Sequence, residues 1–299
     1  MGKKYKGIFA VSVTPFKQDG QVDEKALRSH LRWLIDDCKV HAIMPCGSTG
    51  EFAFLTPAER TKVVEITMDE VNKQLPVIPG SAACATSETI EAAQTYKKMG
   101  VDGVLVVPSY YGNLKQEELY YHFSELAKQV DLPIMVYNNP GTSGSDMMPD
   151  LIARLAEIEN IVAIKESTGQ MQRITEIMRL CGDKLEVLCG CDNLSMEMMA
   201  VGVEGWVAAP ANVVASQCVA LYDLMVNKKD YTKARELYYV LLPLFDMFEQ
   251  TGLYVQLAKA GSRLLGRPLG DPRKPLLPPT KELEAELKTI LDRIYAFKI

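Results

Sequence analysis

Residues 161–167 read Ile161-Val162-Ala163-Ile164-Lys165-Glu166-Ser167. From Ile161 to Ile164 the run is apolar on both faces. A strand buried on both sides has that pattern, and such strands belong to parallel sheets covered by helices. The run then places two charged residues, Lys165 and Glu166, at its C-terminal end. Similar short runs occupy 133–138 on one side and 184–190 on the other. Further runs at 7–13, 41–47, 75–82, 103–108 and 205–210 complete a set of eight.

Helical patterns fill the gaps between these runs. Leu27, Leu31, Leu34 and Ile35 recur at helical spacing after the first. Thr56-Pro57-Ala58-Glu59 reads as a capping box with proline at the first helical position, and Val63, Val64, Thr67, Met68 and Val71 continue one face. A helix reaching Met99 is expected to stop at Gly100. Leu119, Phe123 and Leu126 mark another. Eight β-then-α units predict an α/β fold of the (β/α)8 TIM barrel type, with a doubly wound open sheet as the alternative. From 215 onward no strand-like run occurs. Helices are expected around 221–225, 231–248 and 253–265, then a proline-rich stretch at 267–280 and a last helix from Glu282. The chain is therefore divided into a barrel, 1–214, and a helical C-terminal subdomain packed on it, 215–299.

Composition narrows the function. A net charge of −5 with no long basic run argues against nucleic acid or an anionic membrane as partner. No apolar stretch is long enough to span a bilayer, and the N-terminus lacks the apolar core of a signal peptide, so a cytoplasmic protein is expected. Seven scattered cysteines and three histidines offer no metal-ligand spacing, so no metal is expected. The absence of G-x-G-x-x-G and of a P-loop disfavours a dinucleotide or nucleotide, and no cofactor is expected.

In a barrel of this kind chemistry sits at the C-terminal strand ends. Lys165 ends the sixth run. A lysine stripped of water titrates lower and becomes an amine nucleophile, able to form an imine with a 2-oxo acid. The imine withdraws electrons, so the neighbouring carbon can lose a proton or break a C–C bond. The alternative is a lysine whose head reaches solvent or pairs with Glu166. The second run ends in Pro45-Cys46-Gly47-Ser48-Thr49-Gly50-Glu51, where Gly47 and Gly50 let the backbone approach a ligand and Ser48 and Thr49 offer hydroxyls to a carboxylate. A tight turn with capping hydroxyls is the plainer reading. Tyr137, at the end of the fifth run, is placed to move a proton; Tyr110 and Tyr111, after the fourth, read first as packing or a subunit contact. Glu51 and Glu166 as a glycosidase pair, or a metal-dependent aldolase, find no further support in the sequence.

Taken in order, Gly47-Ser48-Thr49-Gly50-Glu51, Tyr110-Tyr111, Tyr137-Asn138-x-Pro140 and Ile164-Lys165-Glu166 resemble the dihydrodipicolinate synthase / N-acetylneuraminate lyase family over nearly the whole chain. The resemblance implies that Lys165 is the Schiff-base lysine, that Tyr137 relays protons and steadies the substrate carboxylate, and that Ser48 joins the relay while Thr49 binds the carboxylate. It further implies that Tyr111 completes the relay from an adjacent subunit of a homotetramer built as a dimer of dimers, and that Gly190 and Val207 line the pocket. Two positions depart from the family's synthases. Thr142 stands where an arginine usually holds the second substrate's carboxylate, a loss of about 1.5–3 kcal/mol for a charged hydrogen bond. Cys84 stands where an asparagine serves lysine feedback, which argues against that regulation. The expectation is a pyruvate-type Schiff-base lyase acting on a 2-keto-3-deoxy sugar acid or a 4-hydroxy-2-oxo acid. A dihydrodipicolinate synthase condensing pyruvate with aspartate semialdehyde, a keto-deoxy acid dehydratase and a non-catalytic binding protein on the same barrel are the alternatives.

Overall fold

The computed structural model describes residues 5–298. Seven strands are formed among them: β1 Gly7–Ala10, β2 Ala42–Ile43, β3 Val104–Val106, β4 Ile134–Asn138, β5 Ile161–Glu166, β6 Glu186–Cys189 and β7 Gly205–Ala208. All pair in parallel, in the order β2-β1-β7-β6-β5-β4-β3. Residues 75–82, expected as a regular strand, supply the eighth stave in a looser form. They make only two bridges, Val77 with Ile43 and Gly80 with Leu105. The reason lies in Pro76 and Pro79, which have no N–H to give a ladder. Their carbonyls still accept, from Ile43 N–H at 3.0 Å and Leu105 N–H at 2.9 Å. The stretch thus joins β2 to β3 and closes the sheet into a barrel, which excludes the doubly wound alternative.

The helices follow the sequence pattern closely. Pro57–Val71 starts at the capping box: Thr56 Oγ1 accepts from Glu59 N–H at 3.2 Å, and Glu59 Oε2 accepts from Thr56 N–H at 2.9 Å. Thr86–Met99 stops at Gly100, whose φ of +81° is open to glycine without a Cβ clash. Gln116–Gln129 buries Leu119, Phe123 and Leu126. After β7 come Ala211–Tyr222, Tyr231–Thr251, Tyr254–Leu264 and Lys281–Ala296. The first of these packs on β1 and is broken at Val214 (φ −131°, ψ 38°). Trp206 of β7, fully buried, meets Phe245 edge-on at 5.4 Å and so fixes Tyr231–Thr251 against the barrel. This contact matters for function, because the C-terminal end of that helix reaches the mouth of the barrel. No helix of the described residues is long and apolar enough to cross a membrane.

Candidate active site

A cleft of about 470 Å³ opens at the C-terminal ends of the strands, within the size range of small-molecule sites. Six of the eight residues singled out in the sequence line it: Lys165, Tyr137, Ser48, Thr49, Gly190 and Val207. Lys165 sits near the end of β5 and is 8% exposed. In the β4/β5 ladder its register partner is Tyr137, and its Nζ lies 4.1 Å from the centre of the Tyr137 ring. An amine over an aromatic face is held without being neutralised by a carboxylate. Among the described residues no carboxylate oxygen lies within 4 Å of that amine.

The alternative reading, a Lys165 paired with Glu166, fails on strand geometry. Successive side chains of a strand point to opposite faces. Glu166 faces away and accepts from Asn138 Nδ2 at 3.0 Å and from Thr168 N–H at 2.8 Å. Burial pushes its carboxyl above the ordinary carboxylate range. Asn138 also accepts from Met147 N–H at 2.9 Å and donates to Asp146, which pairs with Arg173. This buried network anchors β4 and β5 from behind, and so fixes Tyr137 and Lys165, which face the cleft. It also removes Glu166 from any glycosidase pair with Glu51.

Gly190 follows β6 and leaves room for the lysine. A Cβ there would stand 2.0 Å from Ser167 Oγ, 2.8 Å from the Glu166 carbonyl and 3.0 Å from Lys165 Cε. The serine could rotate; the carbonyl is fixed in the ladder, where it accepts from Gly190 N–H at 2.9 Å. Gly190→Ala is therefore expected to displace the Lys165 stem and to slow imine formation about tenfold or more, since small misplacements of reacting groups are costly. Time courses of borohydride trapping measure this; an unchanged rate would show that the lysine does not need the space.

Ser48 and Thr49 lie in the tight loop after β2, which is wound by left-handed residues at both ends, Cys46 (φ +56°) and Glu51 (φ +64°). Gly47 does not line the cleft. It serves the loop, because a Cβ there would meet Val11 Cγ1 at 2.6 Å. Tyr111 does not line the cleft of its own chain either: it is 86% exposed, while Tyr110 packs edge-on against Phe52 at 5.6 Å. An exposed tyrosine beside the barrel mouth is open to contact from a second copy.

Several lining residues could be given no individual role from the sequence. Asn139 donates from Nδ2 to the Tyr137 hydroxyl at 2.8 Å and accepts from Thr142 N–H at 3.2 Å, so it orients the phenol while capping the short helix Pro140–Ser143. Asp192, Glu249 and Tyr254 also line the cleft. Gly252 (φ +66°) turns the chain between the two helices that carry Glu249 and Tyr254. Glu249 accepts from Asp192 N–H at 2.7 Å and from the Tyr254 hydroxyl at 2.6 Å. Asp192 itself accepts from Trp206 Nε1 at 2.8 Å. Burial and the facing Glu249 push the Asp192 carboxyl well above its usual range, and burial with the Glu249 bond keeps the Tyr254 phenol protonated. Lys165 is the one Lys or Arg among the lining residues. The cleft thus has a buried amine beside a phenol, a pair of hydroxyl side chains, and the carboxyl groups of Asp192 and Glu249, with no lysine or arginine besides Lys165 among its lining residues.

The chain is similar to known proteins over nearly its whole length. The Dihydrodipicolinate synthetase family pattern matches residues 4–294. A 4-hydroxy-tetrahydrodipicolinate synthase from Pelobacter propionicus is 40% identical over 275 residues, 92% of this chain and 93% of its own. One from Methanothrix thermoacetophila is 37% identical over 97% of both chains. Among solved structures, the dihydrodipicolinate synthase of Aquifex aeolicus superposes with a TM-score of 0.91 at 35% identity, covering 97% of this chain and 98% of its own. That of Acinetobacter baumannii, solved in complex with pyruvate, superposes with a TM-score of 0.92 at 31% identity over 98% and 100%.

Proposed function

Since the chain belongs to the dihydrodipicolinate synthetase family, we propose that it is a Schiff-base lyase whose Lys165 condenses with pyruvate, and that the resulting enamine adds to aspartate semialdehyde. The comparisons favour this synthase reading, which the sequence placed second, over the cleavage of a keto-deoxy sugar acid, which it placed first. The observation that carries the imine step is the position of the Lys165 amine, buried, unpaired with any carboxylate and 4.1 Å from the Tyr137 ring centre. In this reading the amine adds to the ketone carbon, and the carbinolamine loses water to give the imine. Loss of a proton from the neighbouring methyl gives the enamine, whose carbon forms the new bond to the aldehyde. Tyr137 carries the protons, Ser48 assists it, and Thr49 with the loop around Gly47 holds the pyruvate carboxylate; Gly190 and Val207 shape the walls. Tyr111 joins the relay from a second copy in a homotetramer. The division at 214 and 215 and a cytoplasmic location belong to the same reading.

Two observations favour a second reading for the partner substrate. Thr142, and no arginine, faces the cleft, and the carboxyl groups of Asp192 and Glu249 stand in its wall with no basic side chain besides Lys165 among the lining residues. A second carboxylate is poorly held there, which suits a neutral aldehyde and hence a 2-keto-3-deoxy sugar acid or a 4-hydroxy-2-oxo acid, cleaved or dehydrated on the same imine. Borohydride trapping with pyruvate, followed by turnover on aspartate semialdehyde and on a panel of keto-deoxy acids, separates these readings. Pyruvate binding without any adduct or turnover would mark a non-catalytic protein. Thr142→Arg sharpens the choice. If aspartate semialdehyde is the substrate, the new guanidinium lowers its KM by about tenfold or more, the worth of a charged hydrogen bond. If the partner is neutral, the bulky cation lowers kcat/KM for it instead.

A further inference from the structure

The hydroxyl loop is bolted to the C-terminal part of the chain by an ion pair that the reaction itself does not use. Glu51 and Lys259 are each 1% exposed, and Lys259 Nζ lies 2.5 Å from Glu51 Oε1. The other carboxylate oxygen accepts from Arg273 N–H at 2.7 Å. Lys259 also donates to the Asp271 carbonyl at 3.1 Å and sits 4.3 Å from the centre of the Phe16 ring, over which Arg273 stacks at 4.2 Å. Gly270 passes so close to Phe16 that a Cβ would stand 2.1 Å from its carbonyl oxygen. The proline-rich stretch 267–280 is thereby strapped across the back of the loop.

Three features separate this pair from ordinary stabilisation. Burying two charges rarely gains stability over an apolar pair of the same shape, whereas leaving one partner alone is costly. Glu51 holds φ at +64°, a left-handed conformation that side chains other than glycine, asparagine or aspartate seldom adopt. Its N–H closes a turn onto the Ser48 carbonyl at 3.0 Å, and the Gly50 carbonyl next to it is pinned by Thr14 Oγ1 at 2.7 Å. Any shift of Glu51 is therefore passed to Ser48 and Thr49.

We infer that Glu51 and Lys259 are positioning residues, which set the Ser48 and Thr49 hydroxyls for the carboxylate of the 2-oxo acid. This rests on the reading above in which that loop holds the carboxylate. The test uses full-length Lys259→Met and Glu51→Gln, with the pyruvate dependence of borohydride trapping as readout. The half-saturating pyruvate concentration is expected to rise about tenfold or more, while the adduct stays on Lys165. If Lys259→Met does not fold, the double variant Glu51→Gln/Lys259→Met, which buries no charge, is read in the same way. Folded variants with a lower Tm but an unchanged half-saturating concentration would overturn the inference and leave a structural pair. Wild-type protein that traps no pyruvate on Lys165 would instead sink the Schiff-base reading on which it rests.

Discussion

Lys165→Ala forms no reducible pyruvate adduct, and its turnover falls by about 10⁴-fold or more, the scale on which removal of a covalent nucleophile is felt. The expectation follows from where the amine lies. Lys165 is 8% exposed at the end of β5, flanked in register by Tyr137 on β4 and Leu188 on β6. No described neighbour could take over its role, because among the described residues it is the one lysine or arginine lining the cleft. Truncation to alanine costs little fold stability, since among the described residues the lysine makes no ion pair and the network anchoring β5 runs through Glu166 on the opposite face. A folded Lys165→Ala protein with the wild-type Tm and no adduct by peptide mass spectrometry is the expected result. An adduct mapped to any other lysine, or turnover surviving in the variant, would remove the Schiff base at Lys165 from the mechanism.

The case for Lys165 was partly legible before any coordinates. Its strand could be read from Ile161 to Ile164, but the choice between a nucleophile and a partner of Glu166 could not. That choice depends on which face each side chain takes and on what waits there. Asn138 reaches Glu166 from the neighbouring strand, a matter of register rather than of sequence spacing, and Thr168 N–H adds a local bond from two residues on. The capping box at Thr56 and the stop at Gly100 were readable because both are local devices, settled within one turn of helix. The stave at 75–82 was readable as extended chain but not as a broken one: Pro76 and Pro79 carry the reason, and their effect depends on which neighbours need donors.

The wall that carries Glu249 and Tyr254 was the part hidden from sequence. Glu249 and Tyr254 belong to amphipathic helices whose pattern announces only which face is buried. Their arrival at the cleft depends on the turn at Gly252 and on the docking of Trp206 against Phe245, contacts between distant parts of the chain. Gly47 and Tyr111 show the reverse case. Both belong to the motifs that carried the resemblance, yet Gly47 works by making the loop possible, and Tyr111 is exposed and does not line its own chain's cleft. A motif tells which residues stand together in a family; it does not tell which atoms of each reach the substrate.

Tyr137→Phe is the second variant with a large expected effect, and a different one. The substitution keeps the ring under the Lys165 amine and the packing of β4, and it deletes only the hydroxyl that Asn139 orients at 2.8 Å. If that hydroxyl carries protons to and from the carbinolamine and the enamine, its loss slows each of those steps by about 10²–10⁴-fold, the usual worth of a positioned acid–base group. The adduct should still form on Lys165, slowly, which distinguishes this variant from Lys165→Ala. Asn139→Ala should lose only about threefold to tenfold, the net value of one neutral hydrogen bond, since it leaves the phenol in place but unsteered. The two steps can be watched separately: single-turnover borohydride trapping reports imine formation, and exchange of the pyruvate methyl protons into deuterated water, followed by NMR, reports the enamine. Slowing of exchange with unimpaired trapping would confine Tyr137 to the enamine step. Wild-type rates in both measurements would show that the phenol only supports the lysine, and that the protons travel through Ser48 or water.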